Sequence, residues 1–433
     1  MSSTTHSTTT QLHLATPRNA SLVRFLRGRL LARLTAMRHG ELVIRDAFGV
    51  MRLGAPSPDG LHAEVTVADT EAFYFAAASQ GSVGVCGSYG DGTWRCDDLV
   101  ALVRLFVRNT DVLDGVEQGG LARLGGALLD RYHAQNRNTR AGSRKNIAAH
   151  YDLGNDLFRL FLDDSMMYSS ALFTEDDDTL ERAQARRLDR ICVKLDLRPS
   201  DHLVEIGTGW GGMAIHAAKH YGCRVTTTTI SQAQRELALE RIAAAGVADK
   251  VTVLFEDYRD LRGTYDKLVS LEMIEAVGAE YLDTYFAKVS SLLEPTGLAL
   301  VQAITIEDSR YEAARRSVDF IKRYIFPGCF IPSVSVMTNA MARTTDLRVT
   351  SLEDLGPSYA RTLNEWRQRF VAHEPEVRAL GYDERFLRLW TLYLAYCEGG
   401  FEERRLSNVQ LLFAKPGNRR AQFVPELHTE VTP

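Results

Sequence analysis

Glu205, Gly207, Gly209 and Gly211 concentrate the chemistry of this chain. An apolar run, Leu203-Val204-Glu205-Ile206, includes an acid and meets a glycine-rich turn, and a helix-like stretch follows. Glycines at alternate positions permit backbone angles and a close approach that side chains would block, and the helix start offers free N–H groups to an anionic ligand. A dinucleotide site would place an Asp or Glu about 20 residues further on to hold the ribose. Here the next apolar stretch ends Val225-Thr226-Thr227-Thr228-Thr229, with no acid. NAD is therefore disfavoured. The remaining common ligand of such a turn is S-adenosylmethionine, which carries a methionine carboxylate, a ribose and an adenine but no pyrophosphate.

The elements that would position this turn alternate in type. Strand-like Leu203 to Ile206, Arg224 to Thr229, Val251 to Phe255, Lys267 to Leu271 and Gly297 to Ala303 are interleaved with helix-like Gly212 to Tyr221 and Gln232 to Ala245. Such alternation predicts a parallel sheet covered by helices on both faces, with ligands at the carboxyl ends of the strands. Gly207, Thr229, Asp257 and the stretch from Glu272 to Glu275 would converge there. Between Thr305 and Ser351 the alternation breaks, and Tyr311, Phe320, Tyr324, Phe326 and Phe330 intervene. That insertion reads as a helical cap or as the wall of an apolar substrate pocket.

A chain of 433 residues exceeds one ordinary core, so two domains are expected. Hydrophobic residues make up 45% and charged residues 24%, and a net charge of -4 gives no global reason to expect nucleic acid. The six cysteines show neither paired nor zinc-like spacing, which predicts free thiols in a reducing compartment and no metal site. No stretch has the order of a secretory signal or the length of a membrane span, so a cytoplasmic location is expected.

The division expected from the sequence is a disordered tail over 1–20, a small α+β domain over 21–132, a linker over 133–145 and the catalytic domain over 146–433. Within the small domain, Leu42 to Ile44, Leu61 to Val65 and the five-glycine stretch from Gly81 to Gly92 read as strand and turn. The stretch from Ser21 to Met37 reads as a helix with Leu22, Phe25, Leu26, Leu30 and Leu34 interleaved with Arg24, Arg27, Arg29 and Arg33. It would lie on an anionic bilayer or pack on its own domain.

Further strings, in order along the chain, point to a family. They are His150-Tyr151-Asp152-Leu153-Gly154-Asn155-Asp156-Leu157-Phe158, Met167-Tyr168-Ser169-Ser170-Ala171, Thr229-Ile230-Ser231-x-x-Gln234 and Tyr324-Ile325-Phe326-Pro327-Gly328. With the glycine turn they resemble cyclopropane-fatty-acyl-phospholipid synthases and the related mycolic-acid cyclopropane synthases, over about Asn146 to Lys415. Leu42 to Asp98 resembles the N-terminal domain of the longer bacterial members, which is implicated in handling phospholipid.

The resemblance implies a Rossmann-like class I methyltransferase sheet and a peripheral enzyme on the inner face of the membrane. Its partner would be an unsaturated phospholipid, with a second copy of the chain as a further candidate partner. S-adenosylmethionine would be held by Tyr168, Ser169, Glu205, Gly207, Gly209, Gly211, Thr229, Gln234 and the Asp257-Tyr258 pair. In the family a bicarbonate ion takes the proton, held by a Cys, a Glu, a His, an Ile backbone and a Tyr. The matching positions here are Ser170, Glu275, Gln302, Ile304 and Tyr359, so the Cys and the His are both replaced. Cys397 matches a reactive cysteine of some relatives.

Methyl transfer to an alkene leaves a carbocation, which the faces of Tyr324, Phe326, Tyr359 and Phe401 would stabilise. The cation then closes to a cyclopropane or loses a proton to leave a methylene branch, and Gln302 makes this the open step. A small-molecule methyltransferase and a non-catalytic lipid-binding protein are the alternative functions.

Overall fold

The computed structural model describes residues 17–112, 138–139, 142 and 153–421. Most of the tail, nearly all of the 133–145 stretch, and His150, Tyr151 and Asp152 lie outside the described residues. The chain forms two compact units. One comprises Met1–Arg131 with Val318–Tyr324 and Tyr382–Gly399; the other comprises Tyr132–Ser317, Ile325–Gly381 and Gly400–Pro433.

In the first unit, β1 (Gly40–Asp46), β2 (Gly49–Ala55), β3 (His62–Val67) and β4 (Trp94–Cys96) form one sheet in the order β2-β1-β3-β4. Strands β1 and β3 run parallel; the other pairs are antiparallel. Helices α1 (Ala20–Leu34), α2 (Thr70–Gly90) and α3 (Leu99–Arg108) supply the rest of a core containing Val23, Leu42, Ile44, Val65, Phe73, Trp94 and Leu105. Asp69 and Asp98 cap α2 and α3 by accepting from Ala72 N and Ala101 N.

The glycine-rich stretch corrects the sequence reading. Beyond a break at Gly81 (φ 58°, ψ −136°) it is helical through Gly90. Gly84, Gly87 and Gly90 recur at every third position, which clears a strip of the helix. Tyr324 and Leu389 of the same unit occupy the space that Cβ atoms on Gly87 and Gly90 would need.

Helix α1 commits part of its basic face inward. Arg27 Nε donates to Asp46 Oδ2 at 2.6 Å, and Tyr74 Oη donates to the same oxygen at 2.6 Å. Arg24 lies 4.5 Å from the centre of the Phe48 ring. Leu22 and Phe25 are left 38% and 58% exposed.

The second unit is built on β5 (His202–Ile206), β6 (Arg224–Thr228), β7 (Val251–Leu254), β8 (Tyr265–Leu271), β9 (Leu293–Ile306), β10 (Arg348–Asp354) and β11 (Leu406–Ala414). The sheet order is β10-β11-β9-β8-β5-β6-β7. Strands β5 to β9 are mutually parallel, as expected, but β11 and β10 add two antiparallel strands at one side. That correction matters, because β11 brings residues from the far end of the sequence beside β9. Adjacent residues enter opposite cores: Val204, Leu268, Val301 and Leu411 face one, and Leu203, Val269, Leu300 and Leu412 face the other. Both faces of the sheet are thus covered.

The aromatic insertion divides between the units. Tyr311 and Phe330 join the core of the second unit. Phe320 belongs to the first, where its ring lies 5.8 Å from Tyr324 and 5.7 Å from Tyr396.

Candidate active site

The turn after β5 takes the conformation its glycines permit, with φ of 99°, 51° and 86° at Gly207, Gly209 and Gly211. Each angle lies where side chains are rarely found. Gly211 precedes the helix Gly212–His216. A Cβ at Gly209 would meet no atom within 4 Å, so the space over the turn is open to a ligand.

A pocket lies over the turn at the carboxyl ends of the parallel strands. Tyr168, Ser169, Glu205, Gly207, Gly209, Thr229, Gln234, Asp257, Tyr258 and Glu272 all line it. Tyr168 is held among aromatic rings, 5.2 Å from Phe158 and 5.1 Å from Trp366. Ser169 Oγ, Glu205 Oε2 and Tyr258 Oη are buried without a hydrogen-bond partner. Orphaned polar atoms around one pocket call for a ligand that carries complementary donors and acceptors. The ammonium group, ribose and adenine of S-adenosylmethionine fit that requirement.

Three positions expected to face the cofactor already have partners within the chain. Thr229 Oγ1 donates to Gln234 Oε1 at 3.0 Å, and both Asp257 oxygens accept from Arg259 at 2.8 and 2.7 Å. Asp257 itself lines the pocket, with its carboxylate held in place by Arg259.

Beside the pocket lies a cluster of carboxylates. Glu272 follows β8 with φ of 49°, a left-handed conformation unusual for a residue with a side chain. Its Oε1 accepts from Ser170 N at 2.9 Å, Gln302 Nε2 at 2.7 Å and Asn408 Nδ2 at 2.7 Å. Its Oε2 accepts from Tyr359 Oη at 2.8 Å. Ser170, Gln302 and Tyr359 are three of the positions expected to surround a bicarbonate ion, and all three converge on this side chain instead. The donor set is therefore filled by a carboxylate of the chain, and bicarbonate does not fit there as well.

Glu275 is placed differently. Its Oε1 accepts from Ile304 N at 2.5 Å, and its Oε2 is buried without a partner. Ser170 Oγ donates to Ala171 O, so only the backbone of Ser170 reaches the cluster. Tyr359 lies 4.6 Å from Phe401, ring centre to ring centre. Tyr324 and Cys397 both belong to the first unit, and Phe326 to the second.

Charge within this cluster is set by burial and by one cation. Burial pushes Glu275 up to about 8, and the neighbouring Glu272 adds to the rise. Burial also raises Glu205 to about 8, against the pull of Thr227 and Arg187. Glu272 too is raised by burial, but Ser170, Gln302, Tyr359 and Arg187 pull against that rise. Arg187 is fully buried and pushed down to about 10, which leaves it charged at neutral pH. Glu272 and Glu275 are both raised by burial, but only Glu272 has several donors and a cation pulling against that rise.

Outer partners fix the geometry. Gln302 Oε1 accepts from Gln410 Nε2 at 3.0 Å, which turns the Gln302 NH2 toward Glu272. Gln410 Oε1 in turn accepts from Lys194 Nζ at 2.7 Å, and Lys194 pairs with Glu353 at 2.5 Å. The helix Leu180–Lys194 also contributes Gln184, whose Nε2 donates to Ser169 O at 2.9 Å. Sequence reasoning missed Asn408, Arg187 and the central role of Glu272. For Glu272 a signal existed, since two carboxylates three residues apart follow a strand at the ligand end of the sheet.

Residues 138–411 match the family model of mycolic acid cyclopropane synthetase. The chain belongs to that family. Tuberculostearic acid methyltransferase UfaA1 of Mycobacterium tuberculosis is 38% identical over 344 residues, 78% of this chain and 80% of the relative. Cyclopropane-fatty-acyl-phospholipid synthase of Escherichia coli is 37% identical over 350 residues, 79% of this chain and 86% of the relative. Among solved structures, the mycolic acid cyclopropane synthase CmaA1 complexed with S-adenosylhomocysteine (SAH) and CTAB superposes with a TM-score of 0.58 at 30% identity, covering 63% of this chain and 98% of that one. This member of the family is an S-adenosylmethionine-dependent methyltransferase with a class I methyltransferase sheet. No helix among the described residues is long and apolar enough to cross a membrane.

Proposed function

We propose that the enzyme methylates a double bond in an unsaturated phospholipid acyl chain and then removes one proton, giving a cyclopropane fatty acid. The observation that carries this reading is the buried carboxylate cluster at the edge of the cofactor pocket, with the Tyr359 and Phe401 rings beside it. An alkene is a weak nucleophile, so its methylation demands a site that tolerates a cation and then accepts a proton. Aromatic faces serve the first need and a carboxylate serves the second.

S-adenosylmethionine, when bound, supplies an electrophilic methyl group on a sulfonium. The glycine turn, Glu205, Ser169 and Tyr258 would orient its amino acid and ribose. Tyr168, packed between Phe158 and Trp366, helps keep water from the reacting carbon.

A second product has a specific observation in its favour. If a hydride shifts along the chain before the proton leaves, the cation moves to the methylated carbon and the product carries a methylene branch. In either case the proton leaves from the transferred methyl group. The proton-accepting cluster here departs from the ring-forming pattern at Ser170 and Gln302, and tuberculostearic acid, named in the UfaA1 relative, supports the branched reading.

The exposed Leu22 and Phe25 of α1 support action at a membrane surface. Incubation with S-adenosylmethionine and vesicles of monounsaturated phospholipid tests the whole proposal. Acyl chains should gain one CH2 each, and proton NMR then separates ring protons, upfield of other lipid signals, from vinyl protons of a methylene branch. Cofactor turnover without any mass gain on acyl chains would overturn it.

A further inference from the structure

We infer that Lys194, which does not line the pocket, is a positioning residue. Its ammonium fixes the direction of a two-amide chain, Gln410 then Gln302, so that Gln302 presents its NH2 group and not its carbonyl oxygen to Glu272. This rests on the acyl-chain reading above, in which a carboxylate of the cluster must be ionised to take a proton.

A side-chain amide has a donor end and an acceptor end of nearly equal size, so a chain of two amides can run in either direction. The ends of this chain choose. Gln302 Nε2 donates to Glu272 Oε1 at 2.7 Å, Gln302 Oε1 accepts from Gln410 Nε2 at 3.0 Å, and Gln410 Oε1 accepts from Lys194 Nζ at 2.7 Å. Reversal would point the Gln410 NH2 at an ammonium that has no acceptor. It would also turn the Gln302 carbonyl toward Glu272, where only a protonated carboxyl could satisfy it. The donor-only end at Lys194 therefore favours the ionised form of Glu272 through two intervening side chains.

The fold holds every link. Gln302 and Gln410 are cross-strand partners on β9 and β11, and both are fully buried, so no bulk water competes for their donors and acceptors. Lys194 ends the helix Leu180–Lys194, where Arg420 donates to Val193 O and Lys194 O and holds the last turn. Its side chain is only 1% exposed, a costly place for an ammonium. The carboxylate that pairs with it, Glu353, is already held in a fork by Arg190 Nε and Nη2 at 3.1 and 2.7 Å. What Lys194 adds is the donor to Gln410.

The charged groups around both ends are few. Burial pulls Lys194 down, Glu353 pulls it up and Arg190 opposes it. Burial raises Glu272, with Ser170, Gln302, Tyr359 and Arg187 pulling against that rise, and Glu275 is the neighbouring acid.

Titration of Glu272 tests the relay, read by 13C NMR of enzyme labelled at glutamate carboxyls and saturated with SAH. Comparison with Glu272→Gln identifies its signal. Lys194→Met has nearly the length of lysine and leaves Glu353 paired with Arg190, so it strands no charge. It should move the titration midpoint upward by about one pH unit, and the acid limb of kcat with it. Gln410→Leu cuts the chain while the Lys194 charge stays in place, and should give a similar upward shift. In a Gln302→Leu background no amide remains to be turned, and Lys194→Met should add no further shift. Affinity for SAH should stay within about twofold throughout.

An unmoved midpoint in folded Lys194→Met or folded Gln410→Leu would overturn the inference. So would an equal shift from Lys194→Met with and without the Gln302 amide, which is the mark of direct charge–charge interaction. If Lys194→Met does not fold, the Gln410→Leu titration decides alone. Shifted midpoints in an enzyme that leaves acyl chains unmodified would refute the acyl-chain reading and leave the relay standing.

Discussion

The cofactor turn and the carboxylate cluster sit side by side but are made in opposite ways. The turn is one short stretch whose work is done by backbone atoms at Gly207, Gly209 and Gly211. The cluster gathers the backbone N–H of Ser170 and side chains from residues 187, 272, 302, 359 and 408, several of them more than 100 positions apart. A site made of backbone depends on a local conformation and should fail as a whole. One made of many donors should fail by degrees, each partner contributing part of the stabilisation of a charge.

Gly209→Val strikes the first kind of site and should have the largest effect. A β-branched residue at φ of 51° is strained, and its side chain enters the open space over the turn. SAH binding by calorimetry should weaken at least about a hundredfold, roughly 2.7 kcal/mol, with an unchanged circular dichroism spectrum. Parental affinity in that folded variant would remove the backbone account of the turn.

Tyr359→Phe and Asn408→Leu strike the second kind. Each deletes one hydrogen bond to Glu272. A bond to a charged group is worth about 1.5 to 3 kcal/mol, so kcat should fall between about tenfold and about a hundredfold in each variant. Affinity for SAH should change less than about twofold. If cofactor binding collapsed together with kcat, the two regions would be one site and the contrast between them would be false.

The pH dependence sharpens the comparison further. Glu272 must be ionised to accept a proton, and its pKa lies above the ordinary carboxylate range. Turnover should therefore fall as pH is lowered through that raised value. Arg187→Met removes the cation that favours the ionised form, so the acid limb of kcat should move to higher pH. An unmoved limb would show that Arg187 does not act on the reacting carboxylate. The smallest effect is expected far from both regions: Phe25→Ser on α1 should weaken vesicle flotation by about fivefold, near 1 kcal/mol of apolar burial. Detergent-presented substrate should still be turned over at the parental rate.

Legibility in the sequence followed the same division. The turn was readable because its glycines lie in one window and their spacing is the signal. Strands β5 to β9 were readable from alternating apolar runs and helices, and β1 and β3 from short β-branched runs. The stretch from Gly81 to Gly92 was misread because glycine is a turn former locally, whereas here its lack of a side chain admits Tyr324 and Leu389 against a helix. Strands β10 and β11 escaped notice because an antiparallel edge added after a long helical stretch has no local mark distinguishing it from the parallel strands.

The sequence by itself determined the strand-turn-helix at Gly207 to Gly211, the parallel order that opens a pocket at the strand ends, and the replacement of a cysteine and a histidine by Ser170 and Gln302. Local conformation and residue chemistry suffice for those. Only the tertiary structure decided what the replaced positions now hold. Pairing of β11 with β9 sets Asn408 beside Ile304 and Gln410 beside Gln302, and a left-handed residue after β8 turns Glu272 among the donors. Burial raises both Glu272 and Glu275, because removal from water disfavours a charge, and only the folded chain brings donors and a cation around Glu272 to oppose that rise.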